Sequence, residues 1–194
     1  DGVCSTTTTF TATVNAYPVL SSAVATPAAV CTDGISTLTA SVPSAVTEYP
    51  FTGSTGTYTP IVGTNMGASS IGDDVGVGNL PIGFTFNYNG VGETVFAASS
   101  NGFIELGNTS ATISGGSFNS LSTNAKRLAA LWDDNNTTGG SMQYLTTGTA
   151  PNRVLTVQWT GMHVAGGGSS SNPTIDMQIQ LFENGDFQFN YGPV

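Results

Sequence analysis

The sequence predicts an all-β chain, an antiparallel β-sandwich. Three observations carry that prediction. Apolar and polar residues alternate with period two in several segments. Asn-Gly turn dipeptides separate the clearest pairs, at Asn89-Gly90 and Asn184-Gly185. No stretch of ten residues shows the 3.6-residue period of an amphipathic helix.

Residues 5–16 alternate, with Phe10, Ala12, Val14 and Ala16 on one face, and Tyr17-Pro18 ends that strand. A Ser/Ala/Val-rich connector closes at Pro27. A second strand reads at 35–42 through Leu38, Ala40 and Val42. Residues 43–80 carry Pro43, Pro50, Pro60 and many Gly, which suits loops and short edge strands. Ile82, Phe84, Phe86 and Tyr88 then share one face. Strands follow at 93–98 and 103–106, joined by Ser100-Asn101-Gly102. Residues 110–125 are polar and irregular. Leu128–Trp132 is a continuous apolar run, as in a strand buried on both faces. Strands at 141–146 and 153–160 come next, and Gly166–Ser171 is a flexible loop. In the last hairpin Ile175, Met177, Ile179 and Leu181 face in, opposite Phe187, Phe189 and Tyr191. Gln178 and Gln180 face out.

Composition narrows the function classes. The 194 residues include 3 Lys+Arg against 12 Asp+Glu, a net charge of −9. Phosphate neutralisation needs clustered Lys and Arg, so nucleic acid is excluded as a partner. An anionic membrane surface is disfavoured for the same reason. No apolar run is long enough to cross a bilayer as a helix, so no membrane insertion is expected. The chain begins at Asp1, which suggests a processed product or a fragment. With 39% apolar residues it can still build a core.

The segments LPIGFTFNYNG, SSNGFIELG, LAALWDDNNTTGGSMQYLTTGTAPNRVLTVQW and MQIQLFENGDFQFNYGP span residues 80–193 in order. Together they resemble the β-sandwich module repeated in secreted, modular surface proteins of Bacteroidota. They are more distantly similar to nidogen-like (NIDO) domains of adhesive extracellular proteins. Upstream, CSTTTTFTATVNAYP resembles the last strand of an Ig-like repeat, and PAAVCTDGISTLTASV the opening of another. The resemblance implies a jelly-roll or Ig-like sandwich over residues 48–194, preceded by an Ig-like strand segment and connector at 1–47. It also implies an exported, multidomain parent, extracellular or at the cell surface, and no catalytic residue.

Candidate chemistry is sparse. His163 is the single histidine, and no G-x-S-x-G elbow accompanies it. It reads as a loop or strand-end residue beside Met162, and the chain reads as no enzyme. Asp73-Asp74 and Asp133-Asp134 are adjacent acidic pairs in Gly/Asn-rich turns. Calcium takes six to eight hard oxygen ligands, so Asp73, Asp74, Asp133 and Asp134 are the candidate calcium ligands. The alternative is that each Asp caps its own turn. Cys4 and Cys31 are the only cysteines and a candidate disulfide, worth at most about 3–4 kcal/mol if they pair, which an oxidising setting would permit. Trp132 and Trp159 are either core or sugar-stacking platforms, and their phases favour core. Asn108, Asn135 and Asn136 head N-x-S/T triplets.

The expected function is that of a structural, adhesive segment of a large cell-surface or filament protein. Its partners are neighbouring domains or copies of the same protein, acting through surface contacts and assembly. The alternative is a non-catalytic carbohydrate-binding module of a secreted enzyme, with glycans as partners. A row of exposed aromatics would favour that second reading. The strands within residues 1–47 do not make a complete domain. They either fold back on the sandwich or complete a neighbouring copy by strand addition, and the second is expected.

Overall fold

The structure is a computed structural model that describes residues 51–113, 126–164 and 173–192, and the strands at 22–26 and 37–41. It divides into two compact units, Asp1–Ser54 and Thr55–Val194. In the first unit β1 (Ser22–Thr26) pairs antiparallel with β2 (Thr37–Ser41), with Ala23 opposite Ala40 and Ala25 opposite Leu38. β2 lies where the 35–42 strand is expected. β1 falls in the stretch read as a connector, because Ser-Ala-Val-Ala-Thr alternates well enough to pair once a partner strand is present. The expected strand at 5–16, Cys4 and Cys31 lie outside the described residues.

The second unit is all-β, with two facing antiparallel sheets. One is a four-stranded meander of β4 (Gly76–Tyr88), β5 (Val91–Ser99), β6 (Phe103–Leu106) and β7 (Arg127–Ala129). The other runs β11-β10-β9-β8-β3, from β8 (Ser141–Thr147), β9 (Val154–His163), β10 (Thr174–Phe182) and β11 (Phe187–Tyr191). The two-residue β3 (Thr64–Asn65) completes it on the far edge of β8. Each sheet is thus built from consecutive strands, except that β3 comes from ahead of the first sheet to join the second.

The inward phases make one core. Ile82, Phe86, Trp159, Met177, Ile179 and Leu181 are fully buried, and Phe84 nearly so. Phe187 and Phe189 pack against this core but are only half-buried, because β11 is an edge strand. Burying a side chain of this size contributes about 1.5–3 kcal/mol. The Trp159 indole N–H crosses the core to donate to the Ser99 carbonyl at 2.9 Å, so the two sheets are hydrogen-bonded as well as packed.

The long edge strand β4 is covered from Gly76 to Gly83. Residues 108–113 cover its first half, with Gly78 N–H donating to the Ala111 carbonyl and Ile113 N–H to the Gly76 carbonyl. At its middle, β8 and the residue just before β9 supply the partners. Thr146 Oγ1 donates to the Ile82 carbonyl at 2.8 Å and Arg153 Nη1 to the Gly83 carbonyl at 2.8 Å. Such plugging removes acceptors that another strand would use.

β7 is shorter than the apolar run Leu128–Trp132 suggests. Ala130 and Leu131 N–H both converge on the Gly102 carbonyl, which pulls the chain out of the ladder. Trp132 is therefore half-buried outside the main core. It flanks Phe103, at 5.5 Å between ring centroids, and Arg127, at 5.1 Å. Arg127 lies 4.6 Å from the Phe103 centroid and is ion-paired to Glu105. Among the described residues no helix is long and apolar enough to cross a membrane.

Candidate functional site

Two polar constructions stand out, one at an end of the sandwich and one on an outer face. The first joins three loops. The loop 71–75, the turn Ser99–Gly102 and the loop 131–137 meet above the last residues of β9. His163 exchanges two backbone hydrogen bonds with Asn136, at 3.1 and 2.8 Å, and is the strand-end residue the sequence suggests. The buried Asn101 is the hub. Its Nδ2 donates to Asp74 Oδ1 at 2.9 Å and its Oδ1 accepts from Asn135 N–H at 3.0 Å. Asn135, also buried, donates from Nδ2 to the Leu131 carbonyl at 2.8 Å. Thr137 Oγ1 is shared between Ser70 and Gly72. Turns usually solvate such groups; here each loop satisfies the next.

This frame sets three carboxylates side by side. Oxygens of Asp73, Asp74 and Asp134 lie within 4.8 Å of one another. Asp74 holds a left-handed backbone (φ 52°) to reach the cluster. Burial, then the charges of Asp73, Asp74 and Asp133, push the Asp134 carboxyl above its ordinary range. Asp133, the fourth candidate ligand, is not in the group. Its Oδ1 accepts from the Asp134 N–H at 2.8 Å, the turn-capping role. Three convergent carboxylates have the chemistry for a hard divalent cation. Asn135 and Asn136, which head two of the N-x-T triplets, are buried and closed to modification in the folded chain.

The second construction was not legible in the sequence. Residues Gln143, Gln158, Gln178 and Asn190 stand in register across β8, β9, β10 and β11, and Asn65 of β3 pairs with Gln143. The result is a row of five side-chain amides across five strands. The outward phase of Gln178 is as expected, yet Gln158 and Gln178 are 3% and 2% exposed. The cover is the irregular segment Tyr58–Gly63, a strap lying over the face. Gln178 Nε2 donates to the Thr59 carbonyl at 2.9 Å and to Gln158 Oε1 at 2.8 Å. Gln158 Oε1 also accepts the Ile61 N–H at 2.8 Å, and Gln143 Oε1 accepts the Gly63 N–H at 3.4 Å. Asn190 Nδ2 donates to Gln178 Oε1 at 3.4 Å. At the start of the strap burial, and then the Asp176 carboxylate, push the Tyr58 phenol up to about 12.

Strap residues 59, 61 and 63 thus meet β10, β9 and β8 in turn, one amide per two residues. Two residues of extended chain span about 6.6–6.8 Å and neighbouring strands lie about 4.7–4.9 Å apart, so the strap crosses obliquely. The signal was the Gln/Asn content of the outward phases, but neighbouring strands and register had to be known before it formed a row.

The exposed aromatics among the described residues are Phe51 in the first unit and Tyr191 in the second, so neither unit presents a row of them there. Comparison with curated proteins and with solved structures found no match for the chain. The family model described as NIDO related matches residues 48–194, well over half of the sequence and the whole of the sandwich, so the chain belongs to the NIDO-related family.

Proposed function

We propose that this chain is a structural and adhesive segment of an extracellular cell-surface or filament protein, one that works by surface contact and assembly rather than turnover. The observation that carries this reading is the amide row. The outer face of the five-stranded sheet is a lattice of side-chain amides and hydroxyls that holds an extended segment through its backbone. A face of that kind binds by area and hydrogen bonding. Membership of the NIDO-related family supports an extracellular setting. Origin in a Bacteroidota surface protein, and Ig-like character for residues 1–47, belong to the same reading.

The test uses the native chain. Light scattering over a wide concentration range, with electron microscopy of the concentrated sample, is expected to show self-association. Adsorption of the labelled chain to intact bacterial cells reads adhesion separately. A chain that stays monomeric throughout and does not adsorb overturns the proposal.

A further inference from the structure

We infer that the four amides of the row on β8, β9, β10 and β11 are a seat for the strap of a second copy, so that copies link by exchanging residues 58–66. The inference rests on the assembly reading above and names its contact.

Three observations support it. First, the seat reads backbone. The strap is held at the Thr59 carbonyl, the Ile61 N–H and the Gly63 N–H, and then by the two-residue ladder of β3 with β8. Most of its side chains anchor little: Thr59, Pro60, Thr64 and Asn65 are exposed and Val62 is 94% exposed, while Tyr58 and Ile61 are half-buried. The same segment of another copy makes the same bonds, which is why exchange of an identical element is a low-cost route to association.

Second, a hinge follows directly. Gly67 has φ 86° and ψ −178°, a conformation essentially restricted to glycine, and an added Cβ there would meet nothing within 4 Å. Changing backbone angles at Gly67 swings the strap and β3 away from their own sheet, and it draws out Met66 as well, whose side chain is buried in the core and whose N–H donates to the Met142 carbonyl at 3.0 Å. Third, residues 51–63, which run from the end of the first unit through the strap, have no regular secondary structure. A strap that leaves its own seat carries the first unit with it and leaves the amide row open.

Tethering favours self-seating in dilute solution, because the strap's effective concentration at its own seat is about millimolar. Exchange is then expected when the chain is unfolded and refolded at high concentration.

The experiment is complementation in the full chain. Ile61→Pro removes the strap N–H that Gln158 accepts, and Gln158→Leu removes the acceptor. Each variant, with folding checked by circular dichroism, is expected to refold as a monomer. Their mixture is expected to give a 1:1 pair by light scattering, the intact strap of one on the intact seat of the other. Gly67→Ala changes no residue of strap or seat, keeps the N–H that Asn65 Oδ1 accepts, and penalises the closed hinge. It is expected to raise the exchanged fraction about tenfold. If the wild-type chain assembles but the two single variants assemble equally well, exchange is overturned and the assembly reading stands. If the wild-type chain and Gly67→Ala both stay monomeric after concentrated refolding, exchange is overturned whatever the adhesion result.

Discussion

Replacing Gln158 by Ala tests whether the amide row is structural. A glutamine in the outward phase of a strand is normally solvated, and its loss then changes stability by no more than about 0.5 kcal/mol. Here the side chain is 3% exposed and makes three hydrogen bonds: it accepts from Ile61 N–H and Gln178 Nε2 and donates to Thr160 Oγ1 at 3.0 Å. Gln178 keeps the Thr59 carbonyl after truncation, so its amide is not orphaned. The Ile61 N–H is left under the strap without its acceptor. A lost hydrogen bond costs about 0.5–1.5 kcal/mol net and a stranded buried donor about 1–3 kcal/mol, so the expected loss is about 2–4 kcal/mol. For a unit of this size that lowers Tm by roughly 5–15 °C. Urea unfolding at pH 7, with Thr147→Ala as the exposed control on β8, measures it. The effect should shrink in an Ile61→Pro background, where the partner N–H is already gone. A loss for Gln158→Ala within about 0.5 kcal/mol of the control refutes the row as a seat.

Four further outcomes are expected. Phe86→Ala should cost about 3–5 kcal/mol, and Phe187→Ala clearly less, since Phe86 is fully buried and Phe187 half-buried; equal urea midpoints would contradict the core placement. Gly102→Ala should destabilise by at least about 1–3 kcal/mol, because φ is 78° and an added Cβ would lie 2.1 Å from the Leu131 carbonyl oxygen; a neutral result would mean the 131–135 loop is not seated on the Ser99–Gly102 turn. Calcium added after chelator treatment should raise Tm, and paired Asp74→Asn and Asp134→Asn should abolish the response; an unchanged melting curve removes calcium from the site. The pH profile has two opposed parts. Hydrogen bonding to Arg153 holds Glu183 at about 2 against 4.5, so its stabilisation is full above pH 4.5 and fades as pH falls toward 2, a fade that Glu183→Gln should remove. Asp134 is raised, so its share runs the other way: stability rises as pH falls through its folded pKa, and Asp134→Asn should flatten that part.

Much of the sandwich was legible because local chemistry and global fold agree in it. The 80–88 phase, the Asn-Gly turns and the final hairpin each specify a strand without reference to distant residues. The candidate sites were legible only as composition. Asp73-Asp74 and Asp133-Asp134 were visible as pairs, but three of the four converge only because the buried Asn101 ties separate loops together. Nothing near Asn101 in the sequence announces that role. The alternation placed Gln178 outward correctly and implied solvent wrongly, since the strap that covers it has no periodicity to read. The end of β7 likewise depends on the Gly102 carbonyl, which no local pattern in Leu128–Trp132 reveals.

The position of β3 in the chain has a temporal consequence. The seat for Gly63 is on Gln143, 80 residues further along, and those for residues 61 and 59 are later still. A chain emerging N-terminus first at about 5–20 residues per second exposes the strap for about 4–16 s before Gln143 follows, and longer before Gln158 and Gln178 are in place. β4 through β7 can pair in that interval, because their ladder bonds run only among themselves. The strap is therefore the last early segment to find its place. For as long as it waits, the row of a finished neighbour is the seat within reach, and the local concentration of neighbouring chains sets which seat it takes.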